Sequence, residues 1–363
     1  MGTVIGLGIF SIPYAGRLGG LWPGTILIVI VAVTMVFISL LFAEIIVFSK
    51  KEDRGLVFYA ENYLSRWAGI TVSCSIFIGY IGSLVAYILA ITVFVGSLLG
   101  LGKDYFWPII LFFTAINSLI LVRGFRSLGR LEFFFSISMI VAFVAIFFAG
   151  IPSWQPIKDD WSYFLLPYGV IWFALTGESA IPIVAGILGK EKNKIAPVII
   201  SAYTIIVILT LIFFVGAIKV GDGFLQPDPF LTMSLKMGDW VKYLGSTLSI
   251  VAVATSFWVS ATFLKKILEE DISISKIASW ALVIFLPLVL IIFGVHNFIK
   301  LIGLIGVFMG TVDSLIIIAV YNKIFRRKNT RSKVLPFKVP NFILGILSLL
   351  LIMAALSSLL IFD

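Results

Sequence analysis

Residues 1–20 read MGTVIGLGIFSIPYAGRLGG, an apolar run that Gly6 and Gly8 interrupt and that Pro13 follows closely. A glycine inside a helix costs about 1 kcal/mol relative to alanine, and a proline costs about 3 kcal/mol. In a bilayer, no water satisfies the backbone groups that such an interruption releases. The stretch therefore indicates either a membrane helix that is broken for a binding role, or a kinked helix with a small-residue packing face.

The composition of the whole chain is that of an integral membrane protein. Of 363 residues, 61% are hydrophobic and 12% are charged, whereas soluble domains are about half apolar and about one quarter charged. The single cysteine, Cys74, and the single histidine, His296, argue against a disulfide framework and a structural zinc site. We attribute the net charge of +9 to basic loops, and we expect no nucleic-acid partner.

Eleven apolar stretches are long enough to cross a bilayer as helices, which needs about 20 residues each. The predicted spans are 1–19, 23–49, 67–100, 106–122, 131–150, 162–188, 196–219, 241–264, 277–295, 300–322 and 341–361. The connecting segments are short, so we predict an all-α polytopic membrane protein without a separate catalytic domain. If the N-terminus is cytoplasmic, the loops on that side hold most of the 27 basic residues. This bias predicts a plasma-membrane protein with its N-terminus inside and its C-terminus outside.

A second interrupted span lies at residues 168–188, YGVIWFALTGESAIPIVAGIL. Thr176, Gly177, Glu178 and Ser179 place a glycine, two hydroxyls and a carboxyl in mid-membrane. Gly177 lies 171 residues after Gly6. Roughly the same interval in residue number separates the third span from the eighth and the fifth span from the tenth. Each unit would contain five spans, which is an odd number. The second unit would therefore enter the membrane in the orientation opposite to that of the first. Paired broken helices in inverted halves indicate the midplane site of a secondary transporter.

The two breaks suggest which molecule would bind there. The N–H end of a half-helix favours a carboxylate, and the carbonyl end favours an ammonium or a small cation. A zwitterionic α-amino acid carries both groups on one carbon. Glu178 would then hold the substrate's ammonium, pair with a cation, carry a proton, or cap the released N–H groups of the break.

Other polar and aromatic residues lie inside the spans. Glu44 is near the end of the second span, where we expect it to reach the membrane interface. Asp313 lies deeper, either as a functional carboxyl or in a buried polar contact. Thr255 and Ser256 offer hydroxyl oxygens for sodium, or pack against a neighbouring helix. The aromatic residues that would line a pocket are Tyr80, Tyr87, Trp172, Phe173, Phe257 and Trp258.

Four segments resemble the amino acid/auxin permease family. GTVIGLGIFSIPYA (residues 2–15) resembles its first helix and IWFALTGESAIPIV (171–184) its sixth, while GSLVAYIL (82–89) and TSFW (255–258) are similar to its third and eighth. The likeness extends from Met1 to about Tyr321. It implies the LeuT-like fold of the amino acid–polyamine–organocation superfamily, with two inverted five-helix repeats. The repeats would be 1–150 and 162–322, followed by a basic cytoplasmic loop, 323–340, and an extra C-terminal helix, 341–363.

The resemblance also implies a function, namely symport of amino acids by alternating access, coupled to Na⁺ or H⁺, with no other cofactor. The substrate-binding residues would be Gly6, Leu7, Gly8 and Ile9 from the first helix and Phe173, Ala174, Thr176 and Gly177 from the sixth. A sodium site would combine Thr255 and Ser256 with a carbonyl of Val4 or Ile5, whereas Glu178 would serve a proton. We expect a functional monomer in the lipid bilayer and no enzymatic activity.

Two departures from the family pattern bear on these expectations. Only five residues precede Gly6, so the cytoplasmic half of the first helix is expected to be missing from the 1–150 unit. The fifth span, FFFSISMIVAFVAIFFAG (133–150), lacks the lysine that related proton-coupled carriers place there, which favours sodium. The alternative to a transporter is an amino-acid receptor on the same fold, such as the permease-like subunit of a spore germinant receptor.

Overall fold

A computed structural model describes residues 6–49, 54–123, 128–189, 191–270, 273–327, 334–335 and 339–361. Within these ranges every regular element is helical. The α-helices are α1 (Leu7–Gly16), α2 (Leu21–Ser49), α3 (Leu56–Tyr63), α4 (Arg66–Leu99), α5 (Phe106–Arg123), α6 (Leu128–Gly150), α7 (Tyr168–Leu175), α8 (Ile181–Leu188), α9 (Ile195–Gly221), α10 (Pro229–Met237), α11 (Asp239–Glu270), α12 (Lys276–Ile292), α13 (Phe298–Arg327) and α14 (Asn341–Ile361).

The predicted spans coincide with apolar helical segments of the described chain. Eight segments are long and apolar enough to cross a membrane, and α1, α12 and α14 are shorter apolar helices. The sixth span consists of α7 and α8, separated by a single 3₁₀ turn at Glu178–Ala180. The break predicted at this position is therefore present. The number of crossings and the inverted-repeat arrangement stay predictions.

Two short helices, α3 and α10, were not predicted from the sequence. In α3, Tyr59 is completely buried, and its ring packs edge-on against Phe42 with ring centroids 5.9 Å apart. The helix α10 begins after Asp228, whose carboxylate accepts hydrogen bonds from the Phe230 N–H and the Ser246 hydroxyl at 3.0 and 2.8 Å. Burial raises the pKa of the Asp228 carboxyl, and these hydrogen bonds oppose the increase. Such short helices depend on tertiary packing rather than on their own propensity.

Glycines set the distance between α7 and α13. A Cβ at Gly169 of α7 would overlap the carbonyl oxygen of Gly303 of α13, and one at Gly306 would overlap the carbonyl oxygen of Gly169. The indole of Trp172 occupies the space above Gly310. Small residues at a membrane helix interface allow such close backbone approach. The eight-residue α7 is thereby held against the 30-residue α13.

An aromatic cluster surrounds Phe10, which lies one turn beyond Leu7 in α1. The ring centroids of Phe94, Phe143, Phe213 and Phe230 lie 5.8, 5.9, 6.1 and 5.8 Å from that of Phe10. Each of these four rings meets the Phe10 ring edge to face, which is a favourable arrangement for aromatic pairs. The cluster fills the space between α1 and helices α4, α6, α9 and α10.

Glu44 does not extend its carboxylate into solvent, as snorkelling from the end of the second span would require. Glu44 is only 1% exposed. Its carboxylate accepts hydrogen bonds from the backbone N–H groups of Val334 and Leu335 at 2.7 and 3.0 Å. The carboxylate therefore anchors the loop before α14 onto α2, a contact between residues almost 300 positions apart.

Candidate binding site at the two helix breaks

The first break exposes the N-terminal end of α1. Gly6 precedes the helix in an extended conformation, with φ −138° and ψ −154°, and offers no side chain to cap it. The first N–H groups of an α-helix have no carbonyl partner within the helix. They carry the positive end of the helix dipole. Within the described residues, the backbone N–H groups at Leu7 and Gly8 are therefore able to bind an anion.

The second break exposes the C-terminal end of α7. Thr176 follows the helix with φ −63° and ψ 120°, so its backbone leaves the helical path. Its hydroxyl donates a hydrogen bond to the carbonyl of Trp172 at 2.9 Å, and its N–H donates to the carbonyl of Phe173 at 3.4 Å. The last carbonyls of a helix carry the negative end of its dipole. Pro182, in the first turn of α8, limits continuation of the helix across the break.

The two exposed helix ends lie side by side. A Cβ at Gly8 would overlap the backbone and the methyl group of Ala174. Only a glycine allows α1 to approach α7 this closely. The positive end of α1 and the negative end of α7 are thereby brought to the same place, with opposite partial charges.

A cavity of about 180 Å³ opens at this junction. It is lined by most of the predicted substrate residues and by one of the two predicted sodium ligands, namely Gly6, Leu7, Gly8, Phe173, Ala174, Thr176 and Ser256. Helices α4, α11 and α13 supply the opposite walls. The structure therefore brings together residues that are some 250 positions apart in the chain.

The other predicted site residues do not line this cavity. Ile9 is completely buried in the apolar core. The Thr255 hydroxyl donates to the carbonyls of Val251 and Ala252, both at 3.0 Å, within its own helix. Gly177 and Glu178 lie in the break but are not among the residues that line the cavity. Val4 and Ile5 lie outside the described residues, so the sodium site stays a prediction.

Three hydroxyls lie together on the wall opposite the breaks; Tyr87 and Ser256 were each predicted as candidates, but their grouping with Ser260 was not. The Tyr87 hydroxyl of α4 lies close to the hydroxyls of Ser260 and Ser256 of α11, and all three residues line the cavity. Ser256 also lies directly beside Gly6. The four-residue spacing of Ser256 and Ser260 puts both on one face of a helix, which is the signal that would have identified them. Tyr87 was one of six aromatic candidates, and nothing in the sequence distinguished it.

A second polar pair lies at another part of the cavity wall. The hydroxyl of Tyr80 on α4 lies close to Ser179 of the break, and both residues line the cavity. The Tyr80 ring also packs against Phe263 of α11, with ring centroids 5.1 Å apart. Tyr80 therefore connects the α7–α8 break with two of the long helices.

Comparisons with known proteins agree with this architecture. The family model described as transmembrane amino acid transporter protein matches residues 1–361. The crystal structure of a manganese transporter from Eremococcus coleocola, in complex with an aromatic bis-isothiourea substituted compound, aligns with a TM-score of 0.68. The alignment covers 99% of this chain and 83% of that chain at 13% sequence identity, so it shows a common fold. No curated protein sequence matches the chain.

These findings agree with a membrane transporter rather than an enzyme. The residues that the sequence singled out at positions 2–15 and 171–184 form the two helix ends that meet at the cavity. The family match covers both of these segments and all the helices around them. The chain is therefore a multi-pass membrane protein that belongs to the transmembrane amino acid transporter family.

Proposed function

We propose that this protein is a secondary active transporter of α-amino acids in the plasma membrane, coupled to Na⁺ or H⁺. The observation that carries the proposal is the meeting of two helix ends of opposite dipole sign at one cavity. The substrate carboxylate binds the free N–H groups at the start of α1. The substrate ammonium binds the last carbonyls of α7.

This arrangement suits a zwitterion because it needs no charged side chain at the site. A helix terminus contributes about 0.3–1 kcal/mol to the binding of a charge at an exposed site, and up to about 2 kcal/mol where the site is partly buried. The two termini act on the two oppositely charged groups of the same small molecule, so their contributions combine. A ligand with only one of the two charges loses one of these interactions.

The cavity favours a small amino acid. Its volume of about 180 Å³ is below the range of about 300–1,000 Å³ that is typical of ligand pockets. Leu7, Phe173 and Ile305 give it apolar walls, while Tyr87, Ser256 and Ser260 give it hydroxyl groups. The side chain of the substrate would lie between these two kinds of wall.

Alternating access follows from the position of the cavity between two groups of helices. The bundle of α1, α2, α7, α8 and α9 rocks against the scaffold of α4, α5, α11 and α12, with the substrate held between them. The division into inverted repeats at 1–150 and 162–322 assigns α1 and α7 to equivalent positions. The aromatic cluster around Phe10 begins one turn beyond Leu7, and in the proposed mechanism it closes that side of the cavity.

Transport is tested directly by uptake of a radiolabelled amino acid mixture into proteoliposomes. An inward sodium gradient and an inward proton gradient are imposed in separate experiments. Concentrative uptake that is driven by one of the two gradients supports a symporter and identifies the coupling ion. Binding without any uptake under either gradient would contradict transport and indicate an amino-acid receptor on the same fold.

The assignment of the site is tested by Gly6→Ala. A methyl group at Gly6 would occupy the cavity beside the Ser256 hydroxyl, which is able to rotate away, so the fold is preserved. We expect the KM for amino acid uptake to rise about tenfold, the equivalent of about 1.4 kcal/mol. The matched control is Gly186→Ala in α8, where a methyl group would contact nothing within 4 Å. Equal KM values for the two variants would contradict this site.

A further inference from the structure

A second buried polar site lies next to the cavity but outside its lining. Glu178 in the α7–α8 break and Asp313 on α13 are only 8% and 7% exposed. The two carboxyl groups are close enough to interact electrostatically. Both lie within segments that are long and apolar enough to span the membrane.

Neither carboxyl group is neutralised by its surroundings. One oxygen of each, Oε1 of Glu178 and Oδ1 of Asp313, has no hydrogen-bond partner in the part of the chain that the structure describes. Neither group forms an ion pair with any residue in that part. Buried polar atoms in proteins are nearly always satisfied, so the unpartnered pair is a candidate site for a proton or a cation.

A third unpartnered group is directed at the same place. Ser75 of α4 is completely buried, and its hydroxyl faces the Asp313 carboxyl without any other hydrogen-bond partner among the described residues. The remaining titratable groups that face the pair are the hydroxyls of Tyr80 from α4 and Tyr203 from α9. Tyr203 shares a hydrogen bond with Ser39 of α2 at 3.0 Å.

Electrostatics excludes two unneutralised carboxylates at this position. An isolated charge in the membrane interior is costly, and two adjacent like charges are costlier still. The pair must therefore hold a proton or a cation. Hard cations take about six oxygen ligands, whereas a proton needs only two oxygens, one bonded and one accepting a hydrogen bond. Protonation of one carboxyl group removes one of the two negative charges and needs no further set of ligands.

The pair also connects the moving parts of the proposed mechanism. Glu178 immediately precedes Ser179, which lines the cavity close to Tyr80. Asp313 lies on α13 and faces α4 through Ser75. Loss of the proton would leave Glu178 and Asp313 both negatively charged. Their repulsion would favour separation of the α7–α8 break from α13.

We propose that Glu178 and Asp313 bind one exchangeable proton between them, and that this proton is the coupling ion, an assignment that rests on the proposed function. The proton enters from water on one side of the membrane, and an O–H bond forms on one of the two carboxyl groups. The substrate and the proton cross in the same conformational change. The O–H bond then breaks, and the proton leaves to water on the other side.

The test uses two assays on the same proteoliposomes. Counterflow measures exchange of a radiolabelled amino acid without any ion gradient, and concentrative uptake measures accumulation under an inward proton gradient. We expect Asp313→Asn to reduce proton-driven accumulation at least tenfold while counterflow remains measurable. Asparagine has the shape of aspartate but cannot carry the proton. Asp313→Glu, which restores the carboxyl, is expected to recover accumulation at least in part.

The control variant is Asp239→Asn at the exposed start of α11, which should accumulate substrate as the wild type does. Proton-driven accumulation by Asp313→Asn at the wild-type level would overturn the carboxyl-pair proposal, and so would accumulation by the wild type under a sodium gradient alone. In both cases wild-type counterflow would still support the proposed transport function. Absence of counterflow in the wild type would overturn the transport function itself.

Discussion

At the scale of single residues, the site depends on two glycines, which have no side chain, as much as on the side chains around them. Gly8 allows α1 to contact Ala174, and Gly6 leaves open the space beside Ser256. Backbone groups, rather than charged side chains, then face the cavity. This explains why the costliest residues for a membrane helix occur at the centre of the first and sixth spans. The side chains that shape the pocket are the hydroxyls of Tyr87, Ser256 and Ser260.

Tyr87→Phe removes the hydroxyl that lies between Ser256 and Ser260 at the cavity wall. A hydrogen bond contributes about 0.5–1.5 kcal/mol net, so we expect the KM for amino acid uptake to rise about 2- to 10-fold. The matched control is Tyr168→Phe, since the buried Tyr168 hydroxyl has no hydrogen-bond partner in the described chain and lies outside the cavity. If both variants gave wild-type KM values, Tyr87 would have no role in substrate binding.

At the scale of helices, the sequence predicted the long elements but not the short ones. Each of the eleven stretches is apolar through most of its length, and that pattern alone indicates a membrane helix. The helices α3 and α10 carry mixed sequences of eight and nine residues. Their positions are set by contacts such as those of Tyr59 and Asp228, which become visible only when distant segments meet.

The contact between α7 and α13 gives a prediction about stability. In Gly169→Ala, the added methyl would overlap the carbonyl oxygen of Gly303, so the two backbones must separate. Overpacking of this kind costs about 1–3 kcal/mol. We expect a lower midpoint of thermal unfolding in detergent and weaker amino acid binding, because α7 carries the carbonyl end of the site. Gly345→Ala in α14, where the methyl meets nothing within 4 Å, is the control. An unchanged midpoint in Gly169→Ala would show that this contact is not tight.

At the scale of the whole molecule, the chain encloses its cavity with helices from both predicted repeats. The first repeat contributes α1 and α4, and the second contributes α7, α11 and α13. A small rotation of one helix group against the other therefore changes both access to the cavity and the surroundings of Glu178 and Asp313. The loop before α14 is also bound to α2, because the Val334 N–H donates a hydrogen bond to the Glu44 carboxylate.

The orientation in the membrane is tested by cysteine labelling of intact cells, in a Cys74→Ser background that removes the chain's own cysteine. With the N-terminus inside, a membrane-impermeant maleimide should label Lys103→Cys but not Asn193→Cys, because the basic loops face the cytoplasm. Both positions are exposed to solvent in the structure. After permeabilisation both variants should react. Labelling of Asn193→Cys alone in intact cells would reverse the proposed orientation.

The sequence by itself determined that this is a polytopic helical membrane protein with interruptions near Gly6 and Gly177. Hydrophobicity and the cost of glycine and proline act locally, so they can be recognised without the fold. The tertiary structure decided which helix ends meet, that Tyr87 and Ser260 face the cavity, and that Glu178 and Asp313 are close enough to interact electrostatically. These relations depend on close packing between segments far apart in the chain, and a linear pattern does not contain those distances.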